Sequence, residues 1–515
     1  MIIGLGVSMI AVLKVKKGYS VTSCEEATKD CKHERKLISQ VKCVDLSETI
    51  KKARDLLQRI KDETGSPGCV VGVSINGEKI WSEGLGYSDV ENRTPCTADT
   101  VFRIASISKS ITMGMVAKLW ENGDLDLDKP IQHYLPQFPD KYFEGQKVDI
   151  TTRQLVSHLG GIRHYDKDYM KKNSETVSSK NNKDKTTQKD KTTPPKNGEN
   201  NNSKESEKKS EFDEKEYYIK DHYNSVMESL DIFQNDPLVH KPGSKYLYTT
   251  HGWTVVSAVV EKAANKPFVK LMTEYFKILG LQHTYFEEND PLIYHRGRHY
   301  VKNKNGRLEN APYVDLSYKW AGGGMISDVT DLLRFGNIML YSYQQEIGIT
   351  GNKGDNKGTG DTLYSNDKVK EVRNDSDGNS LNDRLPGYLK QVTVDKMFTP
   401  IAKNESSQDE DKFYGMGWVV VPEKHLYGQC SHQRHFVSHT GGAIGASSVL
   451  LILPSENYGN QFQPDVDETN VMHEIPPQGV VVSVIVNLGN VKLTNVALEI
   501  AKLFEDATSD SKYVQ

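Results

Sequence analysis

RIASISKSITMGMVAKLWENG, residues 103–123, holds a serine and a lysine three places apart at the start of a helix-forming run. Ile111, Met115, Val116 and Leu119 fall at helical spacing, and Asn122-Gly123 supplies the stop. The spacing predicts an amphipathic helix with Ser106 in its first turn and Lys109 one turn on, projecting from the same side. Unpaired N–H groups and the helix dipole favour negative charge at that end. A desolvated lysine gives up its proton more readily and can then act as a base toward the hydroxyl. The same spacing recurs at Ser39/Lys42, Ser206/Lys209, Ser365/Lys368 and Ser509/Lys512, none of which opens such a helix. A helix-capping serine followed by a surface lysine is the competing reading, so the surroundings must decide.

Working outward, SETIKKARDLLQRIKDETG (47–65) places Ile50, Ala53, Leu56, Leu57 and Ile60 at helical spacing and stops at Gly65. CVVGVSINGEKIWSEGLGY (69–87) reads as a hairpin turning at Asn76-Gly77. Near the other end, SSVLLILP (447–454) and QGVVVSVIVNLG (478–489) read as strands, followed by a helix through Leu493, Ala497 and Ile500. Residues 106–345 read mainly as helices and loops. Together these imply an α+β fold: one antiparallel sheet assembled from both chain ends, interrupted by a mainly helical region.

The chain has 515 residues and a hydrophobic fraction of 37%, below the roughly 45–50% (glycine included) of a globular average. Polar tracts added to an ordinary core account for the deficit. Residues 171–211 carry Val177 as their sole aliphatic or aromatic residue, too little to offset ordering entropy, and are read as a disordered insertion. That tract is placed at the rim of the helical region, outside the catalytic unit. Residues 350–383 are read the same way, and 455–474 as a polar loop. The remainder, 44–507, is one catalytic domain. Residues 1–43 form a targeting or anchor segment and linker. Their apolar opening, MIIGLGVSMIAVL, is shorter than the roughly 20 residues of a membrane span, and its basic cluster follows rather than precedes it. A weak membrane anchor, a truncated targeting segment and a misplaced start codon all remain open. The 65 basic residues nearly balance the 69 acidic ones, so no net field favours nucleic acid, which is excluded as a partner. Six scattered cysteines (24, 31, 43, 69, 96, 430) without a Cys-x-x-Cys pair read as reduced thiols.

Two further stretches bear on Ser106. GSKYLYTTHGWTVVSAVVEKA (243–263) sets Tyr248 and Thr250 just before an apolar helix. FVSHTGGAIGASSVLLILP (436–454) carries His439-Thr440-Gly441-Gly442 along a strand edge. Glycines there let a carbonyl group approach backbone N–H groups, as an oxyanion hole requires. The order Ser-x-x-Lys, Tyr-x-Asn, then Lys-Thr-Gly or His-x-Gly resembles that of serine β-lactamases and penicillin-binding proteins, above all the class C group and its esterase relatives. WSEGLGYSDVENRTPC, LDLDKPIQHYLPQFP and SYKWAGGGMISDVTDLL extend the resemblance to an animal mitochondrial branch of that family, over about residues 44–165 and 216–505.

The resemblance implies roles. Ser106 is the acylated nucleophile, Lys109 its base partner, and Tyr248 a proton relay. His439 stands in the catalytic set, and Thr250, Thr440, Gly441 and Gly442 line the substrate, with the N–H groups of Ser106 and Gly442 holding the oxyanion. Two departures stand out. Thr250 replaces the usual asparagine amide, and His439 replaces the usual lysine, so a positive charge there is expected to depend on pH near the imidazole's ordinary value of about 6.5. The implied function is a serine hydrolase, a peptidase acting on peptide, amide or ester carbonyls. A filament-forming scaffold is the alternative, and a β-lactamase or esterase a further one. The mitochondrial branch is linked to homopolymeric filaments between the mitochondrial membranes and to lipid metabolism, so a homo-oligomer in the intermembrane space is expected, with a secretory route less favoured. No cofactor and no metal are called for. The residues Cys430, His432, His435 and His439 lack the spacing of four convergent zinc ligands. Neither Gly-x-Ser-x-Gly, a phosphate-binding glycine loop nor His-Glu-x-x-His occurs.

Location has a direct test. Asn92-Arg93-Thr94, Asn374-Asp375-Ser376 and Asn404-Glu405-Ser406 are glycan acceptors usable only in a secretory pathway. The native protein should show no mass shift on glycosidase treatment; a shift would move it to the secretory route.

Overall fold

The computed structural model describes residues 45–165, 215–344, 388–403, 411–426, 431–456 and 477–509. The N-terminal segment 1–43, the tracts 171–211 and 350–383, nearly all of 455–474, Cys24, Cys31, Cys43 and Cys430, and the acceptors Asn374 and Asn404 lie outside the described residues.

Helix α1 (Ser47–Thr64) ends where predicted, with Gly65 in the left-handed region at φ 64°. Strand β1 (Gly68–Ile75) turns at Asn76 and Gly77, both at positive φ, into β2 (Glu78–Asp89). That is the conformation the Asn-Gly signal demands. After β2 come the short strands β3 (Thr94–Pro95), β4 (Ala402–Lys403), β5 (Phe413–Tyr414) and β6 (Val419–Val421), then the long strands β7 (Phe436–Ala443), β8 (Ala446–Pro454) and β9 (Gly479–Val486). They form one antiparallel sheet in the order β4-β5-β6-β7-β8-β9-β1-β2-β3. Strand β1, from the chain's start, pairs with β9, from its end, over Cys69↔Val486 to Ile75↔Val480. Both ends therefore build the sheet, as the sequence implies, and the α+β class holds.

Each face of the sheet is covered. Val71, Val73, Leu451, Val482 and Val484 pack toward α1 and the C-terminal helix Thr494–Ser509. Their neighbours Val70, Leu450, Ile452, Val481 and Ile485 pack into the helical region. Burial on both faces explains why these strands read as continuous apolar runs rather than alternating ones. Helix Val329–Gln344 lies directly on β1, β8 and β9. It comes this close because Gly336 has no Cβ, which would stand 2.5 Å from Val481 Cγ1.

Helix α2 (Ile107–Asn122) departs from the amphipathic expectation. Every residue from Ile107 to Ala117 is buried, the polar ones included. The helix is enclosed on all sides, and its polar side chains bond locally: Ser110 Oγ donates to the Gly417 carbonyl at 2.7 Å and Thr112 Oγ1 to that of Ala321 at 3.2 Å. An enclosed helix carries no polar stripe.

Asn487, at the end of β9, pins the first hairpin to the sheet. Its Oδ1 accepts the buried Gly68 N–H at 2.7 Å, and its Nδ2 donates to the Tyr87 carbonyl at 3.0 Å. Asn487→Ala strands both groups, and should lower stability by about 2 kcal/mol or more, read as a lower urea midpoint at unchanged slope.

Candidate active site

Ser106 sits at the N-cap position of α2, yet its side chain makes no capping hydrogen bond. Its Oγ instead receives the Tyr248 hydroxyl at 2.7 Å and Lys109 Nζ at 3.1 Å. A plain capping serine would point its oxygen at the backbone N–H groups of the first turn; this one points at two titratable groups. From Val101 to Ala117 only Ser106 is not buried. The residue before it, Ala105, has φ 47°, a left-handed conformation costing about 1 kcal/mol or more for a residue with a Cβ. This backbone turn leads into the helix and leaves Ser106 half-buried among fully buried neighbours.

Lys109 is fully buried. Its Nζ donates to the Gly322 carbonyl as well as to Ser106, and lies 3.5 Å from Thr250 Oγ1. The stretch SYKWAGGGMISDVTDLL thus gains a physical role. Its helical turn Trp320–Gly323 leads into the strand Met325–Ser327, which pairs with Phe102–Arg103 just ahead of the nucleophile. The carbonyl of Gly322 is thereby presented to the amine. Tyr248 precedes the helix Thr250–Ala263, whose N-cap Thr249 accepts the Gly252 N–H through its own hydroxyl. The structure therefore brings Ser106, Lys109, Tyr248 and Thr250 together.

His439 lies on β7 but is 2% exposed. Its Nδ1 faces the Thr440 carbonyl at 2.7 Å and must carry the hydrogen, so Nε2 accepts from the Tyr414 hydroxyl at 2.9 Å. Burial, then the nearby Lys109 charge, pushes its pKa down to about 3. The expectation of a charge switching near pH 6.5 is therefore corrected: this imidazole stays neutral at physiological pH. Thr440 and Gly442 are exposed on the same strand, while Gly441 is buried against the Ile104 carbonyl, only 2.2 Å from where a Cβ would sit. Of the crowded histidines, His432 pairs with Glu423 and Glu456, and His435 Nδ1 faces the Val421 carbonyl. They do not converge with His439. A different group, His283, Asp328 and Asp331, clusters within 4.8 Å. Its carboxylates already accept the N–H groups of Asp331, Gln282 and His283, which makes it a cap for helix Val329–Gln344.

Several supporting residues gave no sequence signal. The His158 ring packs against Tyr248 and Tyr414, with centroids 4.3 and 4.6 Å away, and its Nδ1 accepts the Thr249 N–H. Arg163, 2% exposed, binds Glu216 and Asp236, and Glu216 also meets His251 Nε2 at 3.0 Å. The Tyr217 hydroxyl donates to the Gly442 carbonyl. Tyr165 and Glu216-Tyr217 flank the polar tract on either side. Its flanks therefore contribute to the wall of the site, while the tract itself, 171–211, lies outside the described residues. No spacing rule could have joined residues separated by so long a polar run.

Residues 53–497 match the β-lactamase family. This chain belongs to that family. It is 46% identical to the mouse (Mus musculus) serine beta-lactamase-like protein LACTB, mitochondrial, over 90% of this chain and 82% of the relative. The human (Homo sapiens) protein of the same name is also 46% identical, over 90% and 80%. Among solved structures, the octameric penicillin-binding protein homologue of Pyrococcus abyssi superposes with a TM-score of 0.57 at 17% identity, over 89% of this chain and 77% of its own. The fold is that of the penicillin-binding proteins and β-lactamases, and the mitochondrial location expected from sequence agrees with the relatives' names.

Four buried histidines bear on stability. His439 and His299 are held down to about 3, His251 to about 4, and His158 well below its ordinary value, in each case by burial first. Between those values and about 6.5 the unfolded chain binds more protons than the folded one, so stability rises with pH there. It is fully present above about pH 6.5 and is lost as pH falls toward about 3. The melting temperature should fall between pH 7.5 and pH 5; a higher value at pH 5 would contradict the neutral assignment.

Proposed function

We propose that this protein is a serine hydrolase that works through an acyl-enzyme on Ser106, with peptide, amide or ester carbonyls as substrates. The observation that carries the reading is the Ser106 oxygen, within hydrogen-bond reach of both Tyr248 and Lys109. In acylation, the Lys109–Tyr248 pair takes the Ser106 proton as Oγ attacks the substrate carbonyl carbon. The carbonyl oxygen, now negative, lodges against the N–H groups of Ser106 and Gly442. The leaving amine or alcohol departs with the proton, handed on through Tyr248. Water then attacks the ester, gives up its proton to the same pair, and frees Ser106.

Thr250 offers one hydroxyl, directed at Lys109, where β-lactam recognition would use an amide. This favours a peptidase over a drug-hydrolysing β-lactamase, with an esterase as the alternative. His439, neutral and bonded on both ring nitrogens, holds the strand and Tyr414 in place rather than supplying charge. Self-assembly into an oligomer or filament in the intermembrane space, with a part in lipid metabolism, is the second reading. The octameric homologue is what favours assembly, and the two roles are compatible.

A fluorophosphonate probe tests the first reading. Ser106→Ala should lose labelling while the protein stays folded, with a modestly lower melting temperature because Lys109 and Tyr248 each lose an acceptor. Lys109→Ala should label at least about 100-fold more slowly, the low end for loss of a general base. Equal labelling rates in the wild type and Lys109→Ala would remove Lys109 as the base.

A further inference from the structure

Past Ser438, strand β7 has a partner on one side only among the described residues. Strand β6 pairs up to Val419↔Ser438 and no further, whereas β8 accompanies β7 through Ala443. An open strand edge is a template to which an extended peptide adds, its N–H groups taking the edge carbonyls. This edge passes beside the nucleophile, since Gly441 abuts the Ile104 carbonyl two residues before Ser106. One acceptor on it is already taken. The Tyr217 hydroxyl donates to the Gly442 carbonyl at 2.8 Å.

Tyr217 is firmly placed. It is 3% exposed, its ring covers Lys319 Nζ at 4.4 Å from the centroid, and it meets the Tyr165 ring edge-on at 5.2 Å. The preceding residue is fixed on three sides: Glu216 bonds Arg163 and His251 through its carboxylate, and its carbonyl accepts the Tyr318 hydroxyl at 2.9 Å. The N–H and C=O of one residue in an antiparallel strand point the same way. The carbonyl that Tyr217 covers therefore adjoins the N–H assigned to the oxyanion. An acyl group seated on that N–H would bring the N–H of its own α-acylamino substituent to the same carbonyl.

We propose that Tyr217 is a specificity-determining residue: it fills the strand-edge acceptor that would otherwise reward an amide N–H next to the reacting carbonyl. The proposal rests on the Ser106 acyl-enzyme reading. Its consequence is that acyl groups without that N–H, plain carboxylic esters among them, are processed on equal terms with acylamido ones. Peptides remain substrates but gain nothing from this contact.

Two p-nitrophenyl esters separate the effect, the N-acetylglycyl ester and the 4-oxopentanoyl ester, in which a CH2 replaces the N–H. After each kcat/KM is divided by that ester's own hydroxide-hydrolysis rate constant, which removes the difference in electrophilicity, the wild-type values should agree within about threefold, the discrimination left when no new hydrogen bond forms. Tyr217→Phe keeps the ring over Lys319 and removes only the hydroxyl. It should raise kcat/KM for the N-acetylglycyl ester about five- to tenfold relative to its partner, the gain of one hydrogen bond. A variant that labels fully with fluorophosphonate but keeps the wild-type ratio overturns the proposal, as does a parallel loss on both esters. Should the variant fail to fold, the wild type alone decides, because a tenfold or greater preference for the N-acetylglycyl ester would mean the carbonyl is available despite Tyr217. Absence of Ser106 labelling in the wild type would instead overturn the acyl-enzyme reading on which the proposal stands.

Discussion

A lysine withdrawn from water beneath a serine is the contact around which this molecule is arranged. Burying an amine is costly unless its polar atom is met on every side, and the fold gathers the groups that meet Lys109 from distant parts of the chain. Ser106 lies one turn away on the same helix, the Gly322 carbonyl comes from a glycine-rich turn, and Thr250 comes from the start of another helix. The enclosure of α2 follows from this. A helix that carries the amine to the centre must itself be surrounded, and its serines and threonine then find partners in the walls.

The sheet supplies the second constraint. Strand β7 is flanked by β6 for part of its length and then, among the described residues, runs on with one edge open beside the nucleophile. Glycine at 441 lets the strand come against the Ile104 carbonyl, while Gly442 has nothing within 4 Å of where a Cβ would point. One glycine thus serves packing, and the other leaves room for a substrate. His439 between them and the core is a fixed neutral strut, its two nitrogens committed to Thr440 and Tyr414. A lysine at that position would bring a permanent charge, so recognition of an anionic substrate group must come from elsewhere.

Much of this was legible in the sequence, and for identifiable reasons. The Asn76-Gly77 turn, the Gly65 and Gly123 stops and the apolar strands near residue 480 are local signals, set by backbone sterics and side-chain periodicity. Ser106, Lys109 and Tyr248 could be named because their motifs, each beside a helix start, follow in the order that resembles serine β-lactamases and penicillin-binding proteins. The all-round burial of α2 could not be read, since serine and threonine bonded inside a protein look the same in sequence as those facing water. Nor could the neutral state of His439, which is set by its burial and then by the charge of Lys109, remote in sequence. The Arg163–Glu216–His251 group and Tyr217 were hidden by the polar tract, which separates in sequence what the fold joins in space.

Every turnover should carry an acyl group through Ser106. Peptide-level tandem mass spectrometry of the protein, acid-quenched while turning over an activated ester, tests this most directly. The acyl mass should fall on the peptide that spans residues 103–123, localised to Ser106. Turnover with the acyl group on another residue would contradict it.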